Sequence, residues 1–285
     1  MKNIGFIGVG YMGYGIAKNI LKHKNKLFVI ANKNRKPIDK IISEGAEEVK
    51  SYEDFSNKNL DALFMCVTNT PIAKSISEKL SSILADKTIV IDITTHNKTG
   101  SVETEAIFKS NNINYVECPV MGGPVQAEKG VLGGIVGASD KNFKIAEPYF
   151  NIYCKDYFHF GPVGMGAKSK LLNNFLTLGN AALINHMAKS AKNLGLDLNK
   201  LYDVAKLGSG NSAALIRIFD NLLKGDYTGF KFTASNSVKD LTYIKDLLKD
   251  FPEAEKVAEL NKNYFQKAVD EGYGENFISE LINKK

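Results

Sequence analysis

The pattern of apolar and polar positions changes character once along the chain, near residue 160. Before that point, short apolar runs alternate with amphipathic stretches. Asn3–Ile7, Lys26–Ala31, Leu60–Val67, Thr88–Ile93, Ile113–Val116, Leu132–Gly137 and Tyr157–Phe160 read as strands. Helical patterns lie between them, through Ile16–Leu21, Ile72–Leu84, Val102–Lys109 and Lys141–Phe150. This βαβ rhythm predicts a parallel sheet with helices on both faces. Beyond a Gly/Pro-rich break at Gly161–Gly166 the strands stop. Gly166–Leu194 contains no proline and one internal glycine, Gly179, and its apolar residues fall on more than one face. Such a stretch predicts a buried helix, roughly 40 Å long at 1.5 Å per residue, acting as a spine between two halves. Leu198–Leu207, Ala213–Leu223, Ser235–Leu248, Pro252–Glu271 and Ile278–Ile282 continue as helices. The expected fold class is α/β: an N-terminal doubly wound domain over residues 1–162, a long interdomain helix, and an all-α C-terminal domain within 163–285.

The first strand runs straight into Gly8-Val9-Gly10-Tyr11-Met12-Gly13, and a helix opens there. Strand, Gly-x-Gly-x-x-Gly and helix together form a dinucleotide fingerprint of the Rossmann type. Gly8 permits the tight turn, Gly10 lets backbone approach a pyrophosphate, and Gly13 lets helix and strand pack closely. The helix N-terminus offers its amides to the phosphates. The second strand ends at Asn32-Lys33-Asn34-Arg35, with no carboxylate until Asp39. An NAD site usually places a carboxylate near this point, whereas Lys33 and Arg35 suit a 2′-phosphate, so NADP is expected, with NAD still possible. Two later strands end at Val67-Thr68-Asn69 and Asp92-Ile93-Thr94-Thr95. Ligands in such folds lie beyond the carboxyl ends of strands, which makes both segments candidates to line a nicotinamide.

Lys170 and Asn174 stand four residues apart early in the spine helix and share one face. The positive end of the helix dipole repels a cation there, and partial burial adds to that, lowering a lysine pKa toward the range of proton transfer. The alternative is a lysine that snorkels into water. Met121-Gly122-Gly123 sits in a tight loop, Glu117–Pro124, whose glycine amides could face an anion. Lys239-Asp240 reads by itself as surface charge.

Composition narrows the classes. The 285 residues are 44% hydrophobic and 24% charged, with a formal net charge of +6. That mild excess suits anionic small molecules, and no nucleic-acid module is recognisable. Cys66, Cys118 and Cys154 form no metal-spaced pair, and no metal site is expected. No apolar run approaches the ~20 residues of a membrane helix, and the N-terminus lacks a signal-peptide pattern; a cytoplasmic enzyme without membrane partners is expected.

Taken together, these landmarks resemble the β-hydroxyacid dehydrogenase family, which includes 3-hydroxyisobutyrate, tartronate semialdehyde, glyoxylate and succinic semialdehyde enzymes. The likeness runs through Gly5–Gly13, Asp92–Thr95, Pro119–Gly123, Gly164-Met165-Gly166 with Lys170 and Asn174, and Phe232 with Lys239-Asp240. The spacing is most like the short glyoxylate and succinic semialdehyde reductases. The resemblance implies a nicotinamide-dependent oxidoreductase in which Lys170 is catalytic and Asn174 orients the substrate. It also implies that Thr95 and Lys239 contact cofactor and that Gly122 and Gly123 hold the substrate's anionic end. Homodimers or homotetramers through the helical domain are implied as well. Two departures stand out. Serine usually occupies the position of Met121, and a glutamate common in the spine helix is His186 here, expected as a satisfied core histidine. A cofactor-binding interaction module without turnover is the reading from another class.

Overall fold

A computed structural model describes residues 1–32 and 34–284; Lys33, expected at the cofactor, lies outside the described residues. The chain divides into two compact units, Met1–Lys170 and Leu171–Lys285.

In the first unit the order is β1 (Asn3–Ile7), α1 (Tyr11–Lys22), β2 (Lys26–Ile30), α2 (Lys36–Ser43), β3 (Glu47–Val49), β4 (Ala62–Met65), α3 (Thr70–Leu80), β5 (Ile89–Asp92), α4 (Gly100–Lys109) and β6 (Asn114–Glu117). These strands form one parallel sheet in the order β3-β2-β1-β4-β5-β6. Alternate residues feed two cores. Ile4, Phe6, Val29, Ala62, Phe64 and Ile91 face one, while Ile7, Phe28, Leu63, Met65 and Val90 face the other. Burial on both sides explains why the strands read as continuous apolar runs. The α2–β3 pair was not legible. Only Ile38 and Ile41 of α2 are buried, so its short polar pattern gives little period to detect.

The chain then forms β7 (Val120–Met121), α5 (Pro124–Lys129), β8 (Leu132–Val136), α6 (Asp140–Phe150) and β9 (Cys154–His159). Here the structure corrects the expected loop. Val120 and Met121 pair antiparallel with Gly134 and Gly133, and Pro124 starts a short helix. β8 pairs parallel with β9, so these three strands make a second, smaller sheet. An isolated antiparallel bridge between Glu117 and Gly137 links it to the end of β6.

α7 (Met165–Asn193) starts in the first unit and continues into the second. The second unit adds α8 (Leu198–Leu207), α9 (Ala213–Leu222), α10 (Ala234–Leu247) and α11 (Pro252–Ala268). Side-chain oxygens of Asp197, Ser212 and Thr233 accept amide bonds at the starts of α8, α9 and α10, which sets where each begins. Leu171, Leu178, Phe219, Leu241, Ile244 and Phe265 belong to one core. Two expectations fail on α7. The helix is not buried all round, because Leu172, Leu176 and Leu183 form an exposed stripe, Leu183 at 68%. His186 is not in the core either; it is exposed and rests against the Tyr264 ring, with centroids 4.5 Å apart.

Candidate active site

The glycine turn after β1 is built as its spacing requires. Gly8 has φ +97°, and a Cβ there would lie 2.1 Å from the Cys66 carbonyl oxygen. A Cβ on Gly13 would lie 2.1 Å from the Gly8 carbonyl oxygen, so helix and strand could not approach as they do. Gly10 differs: a Cβ there meets nothing within 4 Å. Open space beside the N-terminus of α1 is what a pyrophosphate needs, and the turn fits a dinucleotide. Val9 buries its side chain, Met12 is half-buried and Tyr11 is exposed.

The sheet order reverses between β1 and β4, and the fingerprint follows β1 while Val67, Thr68 and Asn69 follow β4. That is the switch point where ligands bind in doubly wound sheets. Thr94 Oγ1 accepts from the Val67 amide at 3.2 Å and ties the ends of β4 and β5 together. Asn69 caps α3, its Oδ1 accepting from the Ile72 amide at 3.0 Å. Thr95 is half-buried in the next loop. Beneath it Asp92 is fully buried and accepts from the Thr94 amide (2.9 Å), His96 Nε2 (2.8 Å) and the Tyr115 hydroxyl (3.0 Å). Burial, with Asp92 alongside, pushes the Tyr115 hydroxyl well above its ordinary pKa.

Asn32 is exposed past the end of β2. Arg35 stands at the start of α2, bonded to Glu48 at 2.5 Å and to Asp39 at 2.7 Å. Bonds from Arg35 and then Lys50 hold the Glu48 carboxyl down at about 2. The guanidinium is therefore shared with two carboxylates, neither of which lies within the Asn32–Arg35 segment.

Lys170 closes the first unit. Its side chain is buried, 8% exposed, and Nζ donates to the Val120 carbonyl at 2.8 Å and lies 3.5 Å from Met121 Sδ. β7 thus meets the lysine directly, one of its carbonyls and one thioether set against the ammonium. Gly122 has φ +117°, and a Cβ there would meet Leu132 Cδ2 at 2.8 Å. The Gly123 amide donates to Gln126 Oε1 at 3.0 Å. That amide serves the start of α5, so a nest made from both glycine amides does not describe this loop.

In the second unit, Asn174 donates to Asp240 Oδ2 at 2.7 Å, and Lys239 Nζ lies 2.9 Å from Asp240 Oδ1. Asp240 is only 1% exposed, so Lys239-Asp240 is not simple surface charge. Its signal was in the sequence. Ser237, Asp240, Leu241 and Ile244 form the buried face of α10, and a carboxylate on an apolar face needs partners. Glu117 was missed in the same way: it is a buried acid ending an apolar strand, and its Oε1 accepts from the Gly164 and Gly166 amides at 2.6 and 2.9 Å. Among the described residues no cluster of His, Cys, Asp and Glu could hold a metal ion, and no helix is long and apolar enough to cross a membrane.

Known proteins share this organisation. The family profile for the NAD binding domain of 6-phosphogluconate dehydrogenase matches residues 3–161. The profile for the NAD-binding domain of NADP-dependent 3-hydroxyisobutyrate dehydrogenase matches residues 164–284. The NAD-dependent L-serine dehydrogenase of Pseudomonas aeruginosa is 26% identical over 293 residues, covering 98% of this chain and 96% of that one. The 2-(hydroxymethyl)glutarate dehydrogenase of Eubacterium barkeri is 26% identical over 230 residues, covering 79% and 76%. Among solved structures, Mycobacterium tuberculosis 3-hydroxyisobutyrate dehydrogenase with L-serine superposes with a TM-score of 0.87 at 20% identity, covering 99% of this chain and 98% of that one.

Proposed function

Since this chain belongs to the β-hydroxyacid dehydrogenase family and is an NAD(P)-dependent dehydrogenase acting on CH–OH groups, we propose that Lys170 moves the proton in interconverting a small β-hydroxy acid and its aldehyde or keto acid. The observation that carries this is the buried Lys170 Nζ held at 2.8 Å by the Val120 carbonyl, beside Met121. A nicotinamide dinucleotide, held at the Gly8–Gly13 turn, would supply the hydride transfer. In reduction, Lys170 Nζ–H passes its proton to the developing alkoxide; in oxidation the neutral amine takes up the hydroxyl proton. The Val120 carbonyl limits the rotamers of the lysine, so little ordering remains for the reaction itself. Asp240 holds one N–H of Asn174, which fixes the carboxamide plane and leaves the second N–H to orient a substrate oxygen.

Met121 shapes the choice of substrate. A thioether donates no hydrogen bond to a carboxylate, and it fills more volume than serine. Glyoxylate, whose carboxylate sits next to the reacting carbon, should therefore be handled poorly. A longer or less polar partner, such as succinic semialdehyde or 3-hydroxyisobutyrate, should be handled better. NADP is the proposed dinucleotide, because the sequence after β2 carries Lys33 and Arg35 and no carboxylate before Asp39, a 2′-phosphate having to draw Arg35 from Glu48 and Asp39. A homo-oligomer is proposed as well, since Leu172, Leu176 and Leu183 leave an apolar stripe on one chain. The test is NADPH and NADH oxidation with glyoxylate, succinic semialdehyde, methylmalonate semialdehyde and tartronate semialdehyde, with light scattering for assembly. Dinucleotide binding without turnover on any substrate would favour the non-catalytic module instead.

A further inference from the structure

The buried carboxylate of Glu117 takes no part in the chemistry above, yet it grips the helix that carries Lys170. Glu117 ends β6, and its backbone exchanges bonds with Gly137 at 3.1 and 3.0 Å. Its Oε1 accepts from the amides of Gly164 and Gly166, which open α7. The first four amides of a helix have no partner within the helix, and a nearby Ser, Thr, Asp or Asn usually supplies one. Gly161-Pro162-Val163-Gly164 contains no such side chain. The acceptor comes instead from a strand 47 and 49 residues earlier in the chain.

The surroundings leave room for this reach. A Cβ on Gly137 would lie 2.1 Å from Glu117 Oε1, and one on Gly166 would lie 3.0 Å from it. Gly166 stands one helical turn before Lys170. Three residues beyond Glu117, the Val120 carbonyl accepts from Lys170 Nζ. Residues 117–120 therefore hold the first turns of α7 at two points, the backbone through a carboxylate and the lysine through a carbonyl. Burial pushes the Glu117 carboxyl above its ordinary value, while the Ser101 hydroxyl, the Gly164 and Ala167 amides and the His96 ring pull the other way.

We propose that Glu117 is a positioning residue, which caps α7 from β6 and thereby sets where Lys170 Nζ stands against the Val120 carbonyl. The kinetic arm of its test rests on the role given to Lys170 above; the structural arm does not. The full chain carries Glu117→Ala or Glu117→Gln. Amide hydrogen exchange is followed in the peptide spanning residues 164–170. Acetylation of Lys170 by acetic anhydride is read against the exposed Lys168. In the alanine variant, exchange in that peptide should quicken about tenfold or more and Lys170 should acetylate several-fold faster, with second-unit peptides unchanged. Its kcat should fall about ten- to a hundredfold, as a displaced catalytic group predicts, with NADPH dissociation unaltered. Glutamine keeps an acceptor oxygen for both amides and should stay within about threefold of wild type in all three readouts. If the alanine variant does not fold, Glu117→Asp replaces it, its oxygens withdrawn by one methylene. Unchanged exchange and unchanged Lys170 reactivity in the alanine or aspartate variant would overturn the proposal. So would a glutamine variant as impaired as alanine. Altered exchange and acetylation in a protein whose wild type turns over no substrate would support the positioning role and sink the functional reading alone.

Discussion

Replacing Lys170 separates chemistry from structure most sharply. The side chain donates to the Val120 carbonyl at 2.8 Å and is 8% exposed. Lys170→Ala loses that charge-assisted bond, worth about 1.5–3 kcal/mol of stability, and opens a small void. Lys170→Met keeps most of the stem volume and loses only the ammonium. As a positioned acid or base, Lys170 contributes about 10²–10⁴ in kcat, which is about 3–5 kcal/mol of activation free energy. Both variants should therefore lose that factor, although methionine should recover part of the lost thermal stability. NADPH dissociation, measured by fluorescence titration, should be unchanged in both. Added ethylamine should restore part of the rate in the alanine variant, whose void can admit it, and not in the methionine variant. Turnover within about threefold of wild type in either variant would refute the assignment, leaving Lys170 as a lysine held for packing.

Three further outcomes follow from separate parts of the structure. Met121→Ser should lower KM for small carboxylated aldehydes about ten- to a hundredfold, the value of one added bond to a carboxylate; an unmodified enzyme with micromolar KM for glyoxylate and no gain from serine would make Met121 neutral. Gly10→Ala should leave the fold intact at a small stability cost, because a Cβ there meets nothing within 4 Å, but should weaken dinucleotide binding; Gly13→Ala should instead destabilise the fold strongly, its Cβ falling 2.1 Å from the Gly8 carbonyl oxygen. Glu48, held at about 2 against an ordinary 4.5, adds stability that is present above pH 4.5 and lost as pH falls toward 2. Glu48→Gln should flatten that acid limb in thermal melts and, by releasing Arg35 toward a 2′-phosphate, tighten NADPH relative to NADH; equal change for both cofactors would remove Arg35 from the 2′ site.

By itself the sequence determined what repeats or what is punctuated. β1 occupies the expected Asn3–Ile7, α8 the expected Leu198–Leu207, and α9, α10 and α7 agree to within a residue at each end. Apolar period and cap residues act locally, so they can be read along the chain. The Gly-x-Gly-x-x-Gly turn was legible for the same reason, since Gly8 and Gly13 answer steric demands on the adjacent strand or a few residues away, while Gly10 keeps the space beside the helix N-terminus open. Tertiary structure decided what depends on partners distant in sequence. β7 is two residues long and exists because Gly133 and Gly134 pair with it, and its register sets the Val120 carbonyl against Lys170. Asp240 became a buried anchor for Asn174 across 66 residues, and Glu117 a cap for α7 across 47. The exposed stripe of α7 was decided the same way: its leucines give the apolar period of a buried helix, but burial depends on what packs against each face. Pattern reports which side chains avoid water; only the assembled fold determines which of them, and which charges, find cover.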